Sequence, residues 1–226
     1  MDNTFSGFSP HSLAFFEQLA AHNTKAWFEA HRDDYEEYLL EPLKELVSDL
    51  TPAMLALDPD LITTPAVDKT ISRIYRDTRF SRNKSPYKTC LWITFKRQSP
   101  DWKSDPCFFF EISADLCRYG MGFYSADRAT MDNLRRFIET KPDEFRASIA
   151  CLAGQTAFTL EGERYKRPLN LALAPDLQEW HQRKNVYLSC TRLADGRLFT
   201  RAIRDELAKG FALLQPVYEL FWRVRG

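Results

Sequence analysis

The sequence lacks the long apolar runs and the short catalytic motifs that would assign it directly to a membrane protein or to an enzyme class. No apolar stretch approaches the roughly 18–20 residues that a membrane-spanning helix requires, so no membrane partner is expected. The GxGxxG, GxxxxGK[ST], GxSxG and HExxH motifs are all missing. The sequence therefore names no nucleophile and no cofactor, and it leaves open whether the protein is an enzyme.

Cysteine pairs at metal-binding spacing are missing as well. The five cysteines lie far apart, and none belongs to a CxxC pair of the kind that structural zinc sites use. The four histidines also lack the spacing of convergent ligands. We therefore predict no metal site, and we expect free, buried thiols in a reducing, cytoplasmic environment.

The chain does contain enough apolar residues for a large core, and its charge is unevenly distributed. Its 226 residues, 44% of them hydrophobic, predict a single globular domain spanning residues 1–226. The net charge is zero, yet residues 1–68 hold 3 cations and 13 acids, whereas residues 69–97 hold 9 cations and 1 acid. A protein that binds nucleic acid over much of its surface is usually basic throughout. The positive charge here is confined to one segment, which indicates a local binding site.

The hydrophobic period changes from helical to strand-like and back along the chain. Helices are predicted from Pro10 onward with Ser9 as N-cap, and residues 51–68 are predicted to connect them to the strands. Helical spacing returns after Asp127 and again from Thr200. The predicted strands are Ile71–Arg76, Leu91–Arg97, Cys107–Ala114, Cys117–Tyr124 and Val186–Thr191. This order predicts an α+β fold, with an antiparallel β-sheet covered by N-terminal and C-terminal helices.

Alternation along the strands sorts their side chains into an apolar face and a polar face. Gly120 and Gly122 fall on the polar face, where they would either leave a hollow for a ligand or permit close packing. An ordinary solvated sheet face with cross-strand ion pairs is the alternative to a ligand site. The polar face is predicted to hold Arg73, Lys96, Glu111, Arg118 and Tyr124.

The densest positive charge lies in Arg73–Lys88, read as RIYRDTRFSRNKSPYK, where six cations accompany a single acid. Guanidinium groups bind phosphate or carboxylate with paired donors, and lysine adds a mobile point charge. The segment therefore predicts a site for a phosphate- or carboxylate-bearing small molecule. The candidate ligand-binding residues are Arg73, Arg76, Asp77, Arg79, Lys84, Tyr87 and Lys88 from this segment, with Glu111, Arg118 and Tyr124 from the sheet.

Two other functions remain open for the same segment. It could contact nucleic-acid phosphates while aromatic side chains stack on bases, although the zero net charge disfavours this alternative. It could instead be structural in a non-enzymatic interaction protein, with its cations paired to the acidic first helices.

The basic string, together with Trp27-Phe28, the GFY of Gly122–Tyr124 and the arginine-bearing helix after it, resembles the family catalogued as domain of unknown function 2461. That family comprises bacterial and fungal proteins of about this length, so the resemblance spans nearly the whole chain. It implies no catalytic residue, substrate or cofactor, and Asn83 stands where an acid is expected. The family signature falls on Arg73, Arg76, Asp77, Arg79, Phe80, Ser81, Lys84, Pro86, Tyr87 and Lys88.

Overall fold

The structure, a computed structural model, describes residues 4–226 and has the predicted α+β class. Five strands form one antiparallel sheet in the order β1-β2-β3-β5-β4. The strands are β1 Cys90–Phe95, β2 Pro106–Ser113, β3 Leu116–Phe123, β4 Thr159–Glu161 and β5 Tyr187–Leu193. The α-helices are α1 Pro10–Ala21, α2 Lys25–Ala30, α3 Arg32–Tyr35, α4 Glu41–Leu57, α5 Arg128–Thr140, α6 Pro142–Ile149, α7 Pro175–His181 and α8 Ala202–Val224.

Contacts within the chain divide it into two compact units. The first comprises the residues up to Phe95 together with Phe109–Tyr119 and Thr191–Lys209. The second comprises Lys96–Phe108, Gly120–Cys190 and Gly210–Gly226. A single domain over residues 1–226 stays a prediction. Within residues 4–226, every helix is too short or too polar to cross a bilayer.

The first unit begins with helices whose ends and buried faces follow the sequence closely. Ser9 has an extended backbone, Pro10 is the first helical residue, and the Ser9 N–H donates to the Ser12 hydroxyl at 3.0 Å. In α4, an apolar stripe is fully buried, which orients the helix inward. The stripe consists of Leu43, Leu46, Val47, Leu50 and Met54.

Two predictions for the first unit were wrong. Residues 51–57 are not part of a connection, because α4 continues through Pro52 to Leu57. Burial of Met54 extends the apolar stripe by a further turn, while Pro52 is exposed. The stabilisation from this packing therefore outweighs the loss of the backbone hydrogen bond that proline cannot donate. Likewise, Ile71–Arg76 is no continuous strand and forms only isolated bridges at Ile71 and Tyr75.

The second unit confirms the predicted helix start at Asp127, whose carboxylate accepts the Thr130 N–H at 2.6 Å. Aromatic packing fills its core, where the ring of Phe123 lies 4.9 Å from that of Phe221. The sequence did not reveal β4 and α7, since elements of three and seven residues carry too little periodic signal.

Candidate functional site

The basic segment folds back on itself, which explains why Ile71–Arg76 does not continue as a strand. The Ser72 N–H still donates to the Trp92 carbonyl of β1 at 2.9 Å. Further along, the Arg76 N–H donates to the Pro86 carbonyl and the Lys88 N–H to the Ile74 carbonyl, both at 2.8 Å. The chain thus leaves the edge of β1 and pairs with its own returning half, so residues 77–85 form a loop.

Tyr87 fixes the returning half of this loop. Its side chain is only 1% exposed, and its ring stacks on that of Phe28 at a centroid distance of 4.3 Å. The Asn23 side chain accepts the Tyr87 N–H at 3.0 Å and donates to the Tyr87 carbonyl at 3.1 Å. Tyr87 is therefore a structural anchor that positions its neighbours Pro86 and Lys88.

A pocket of about 560 Å³ lies at the base of the loop, and two of the predicted cations line it. The Arg76 guanidinium donates to the Ser85 carbonyl at 3.3 Å and contacts the Ser81 hydroxyl at 3.5 Å. The Lys88 ammonium donates to the Arg73 carbonyl and lies 4.4 Å from the centre of the Trp92 ring. Within residues 4–226, neither cation forms an ion pair with a carboxylate.

Burial lowers the pKa of Lys88 below its ordinary value, and the neighbouring charge of Arg73 adds to this effect. Asp77 also lines the pocket, but its carboxylate accepts two hydrogen bonds from the Arg79 side chain, at 2.7 and 2.9 Å. These bonds, with a further one from the Arg79 N–H, lower the pKa of Asp77 to about 2. Asp77 therefore remains a charged carboxylate at neutral pH, and the Arg79 guanidinium balances its charge at the rim of the pocket.

The remaining predicted cations lie outside the lining of the pocket. Arg73 pairs with Asp68 at 3.0 Å, and both side chains are about two-thirds exposed. Arg79 is exposed and bound to Asp77, as described above. The Lys84 ammonium donates to the Thr78 carbonyl at 2.9 Å, which closes the loop on itself.

The predicted sheet residues are also separate from the pocket lining. Glu111 and Arg118, on β2 and β3 of the first unit, form a partly buried ion pair at 3.2 Å. Tyr124 belongs to the second unit, is 65% exposed, and has its ring 5.9 Å from that of Trp102.

The two glycines of β3 permit close packing and do not leave a hollow. A Cβ on Gly120 would lie 1.9 Å from the Leu188 carbonyl oxygen of β5. Gly122 has a φ of +156°, and a Cβ there would lie 2.4 Å from the Tyr187 Cα. Of the two interpretations offered for these glycines, the backbone of β5 supports close packing.

Several residues that line the pocket were not among the predicted site residues. Cys90 and Trp92 alternate with the buried Leu91 and Ile93, so the two-residue period of the strand could have revealed them. Asn23 could not have been found in this way, because it lies 64 residues from Tyr87 in the chain. Burial raises the pKa of the Cys90 thiol, and nearby Glu111 adds to the rise, so the thiol is uncharged at neutral pH.

The described residues that line the pocket do not include a metal-binding cluster. Throughout residues 4–226, no three His, Cys, Asp or Glu side chains are grouped closely enough to hold a metal ion.

No curated protein shows a significant match to this chain. A family model, described as a conserved hypothetical protein (DUF2461), matches residues 11–220 and thus covers every residue of the pocket. The chain therefore belongs to the family of domain of unknown function 2461.

Proposed function

We propose that the protein binds a phosphate- or carboxylate-bearing small molecule in this pocket, with Arg76 and Lys88 as the partners of the anion. The observation that carries this proposal is the position of the two cations, which line one pocket without a carboxylate partner in residues 4–226. Charge-assisted hydrogen bonds from guanidinium and ammonium groups are the strong contacts by which proteins hold such anions.

Other features of the pocket support an anionic ligand. Its volume of about 560 Å³ is in the range of small-molecule sites. Asp77, the one acid that lines the pocket among residues 4–226, is bound by Arg79, which reduces its repulsion of an anion. The Asn83 carboxamide oxygen accepts the Ser85 N–H at 2.9 Å, which leaves the Asn83 amide donors for a ligand.

Calorimetric titration with inorganic phosphate tests the proposal directly. Removing one charge-assisted contact should weaken binding roughly ten- to a hundredfold in Arg76→Ala. Arg128→Ala is the matched control, because Arg128 is 94% exposed and lies in the second unit. Equal affinity of Arg76→Ala and wild type would refute the proposal, and equal weakening in Arg128→Ala would reduce it to a non-specific charge effect.

Alkylation of cysteine provides a second test that locates the ligand. Cys90 lines the pocket, whereas Cys151 is similarly half-buried but belongs to the second unit. Saturating phosphate should slow the reaction of Cys90 with iodoacetamide and leave that of Cys151 unchanged, as measured by mass spectrometry of the peptides. Unchanged alkylation of Cys90 would place the anion elsewhere.

Single-stranded nucleic acid is a second candidate ligand, favoured by the loop tip. The Phe80 side chain is 95% exposed, and the Arg79 guanidinium lies 5.7 Å from its ring. Arg82 and Lys84 are exposed on the same loop. Exposed aromatic and cationic side chains together bind bases and phosphates. Fluorescence anisotropy with a labelled single strand should show salt-dependent binding that Phe80→Ala weakens, and binding unaffected by salt would rule out this candidate.

A further inference from the structure

The indole of Trp92 is part of the pocket lining next to Lys88. Trp92 lies between the buried Leu91 and Ile93 on β1, so its side chain points to the sheet face away from their core. The Lys88 ammonium is 4.4 Å from the centre of the indole ring. An anion held by Lys88 therefore comes within reach of an aromatic surface.

The volume of the pocket also exceeds what an isolated inorganic anion would fill. It measures about 560 Å³, many times the roughly 30 Å³ that one water molecule occupies in the liquid. A phosphate group bound by Arg76 and Lys88 would leave most of this space to the rest of the ligand. The lining of that space includes the Trp92 indole, the neutral Cys90 thiol and the amide donors of Asn83.

We infer that the ligand of this pocket carries a planar aromatic ring close to its phosphate, an inference that rests on the proposed function. The Lys88 ammonium faces the indole by a cation–π contact, which is weaker than a charge-assisted bond to an anion. A bound phosphate competes with the indole for the ammonium and leaves the ring of Trp92 to stack on the ring of the ligand. Aryl phosphates and nucleoside monophosphates both have this chemistry.

Phenyl phosphate and methyl phosphate are matched probes, since they present the same anion with and without a ring. In calorimetric titrations of the wild type, phenyl phosphate should bind roughly two- to tenfold more tightly than methyl phosphate. Trp92→Leu keeps apolar bulk and should abolish this preference, so that the variant binds phenyl phosphate and methyl phosphate with equal affinity. Trp92→Phe retains a ring and should keep the preference, which controls for a folding defect in the leucine variant.

The outcomes separate this inference from the proposed function. Equal binding of the two probes, with both weakened in Arg76→Ala, would overturn the aromatic ligand and leave the anion site standing. Absence of binding by either probe would overturn both. A preference that persists in Trp92→Leu would also refute the role of Trp92. If the preference depends on Trp92, titration with adenosine and uridine monophosphates decides between the two classes of ligand. Tighter binding than phenyl phosphate identifies a nucleotide, and weaker binding identifies an aryl phosphate.

Discussion

At the scale of single residues, the cations of the basic segment differ in what they contact. Arg73 and Arg79 are exposed and each pairs with an acid, whereas Arg76 and Lys88 line the pocket and meet backbone or hydroxyl oxygens. The order of charges in the sequence could not separate these two groups. The separation depends on the loop, because its folding turns Arg76 and Lys88 toward the pocket and leaves the other cations of the segment outside the lining.

The pair of Asp77 and Arg79 yields a prediction about titration. The Arg79 hydrogen bonds lower the pKa of Asp77 to about 2, and Arg79→Ala should return it toward its ordinary value of 3.8, as followed by NMR of the carboxyl carbon. Because the pKa is lowered in the folded state, the pair stabilises the protein above the unfolded pKa and loses this effect as the pH falls toward 2.

The same variant tests whether the basic segment is mainly structural. Both side chains of the pair are largely exposed, so Arg79→Ala should unfold at nearly the wild-type temperature at pH 7. A large fall in the melting temperature would contradict this expectation and support a structural role for the motif.

Lys88 gives a prediction about the pH dependence of ligand binding. Its pKa is lowered by burial, so its ammonium loses a proton at a lower pH than an ordinary lysine does. Phosphate affinity should therefore weaken as the pH rises through that lowered pKa. A bound phosphate favours the ammonium, so binding near that pH should take up protons, which calorimetry in buffers of different ionisation enthalpy detects. In Lys88→Arg the charge persists, and this proton uptake should disappear.

At the scale of elements, the sequence predicted the long periodic stretches and failed where tertiary contacts decide. The two-residue alternation located β1, β2 and β3, and the helical spacing after Asp127 located the start of α5. The continuation of α4 through Pro52 depends on the packing of Met54, which local propensity does not contain. The pocket was only partly predictable, because Asn23 reaches it from a distant helix end.

The approach of β5 to β3 makes Gly120 the most sensitive position of this pairing. A Cβ at Gly120 would meet the Leu188 carbonyl oxygen at 1.9 Å, and backbone atoms cannot give way as a flexible side chain does. Gly120→Ala should therefore lower the free energy of unfolding by about 3 kcal/mol or more in denaturant titrations. Gly196→Ala is the matched control, since a Cβ there meets nothing within 4 Å, and it should be nearly neutral. Similar stability of the two variants would contradict the observed strand pairing.

At the scale of the whole molecule, the negative charge of residues 1–68 and the positive charge of residues 69–97 do not simply cancel. Among the cations of Arg73–Lys88, only Arg73 pairs with an acid from residues 4–68, namely Asp68. Three acids of the first helices pair elsewhere, namely Glu29 with Arg32, Glu41 with Lys44 and Asp49 with Arg201. The acidic start of the chain therefore does not neutralise the loop, which favours a ligand role over a purely structural one.

The five cysteines can be used to follow unfolding of the protein, since their side chains differ in burial. Burial raises the pKa of Cys107 to about 12, and Cys117 and Cys190 are buried as well. In the native protein at pH 8, Cys90 and Cys151 should react slowly with a chromogenic disulfide reagent, because burial raises their pKa values too. The three buried thiols should react only as fast as the protein unfolds, and all five should react at once in guanidinium chloride. A reaction of a third thiol under native conditions, faster than unfolding and lost in Cys107→Ala, would show that the core around Cys107 opens without global unfolding.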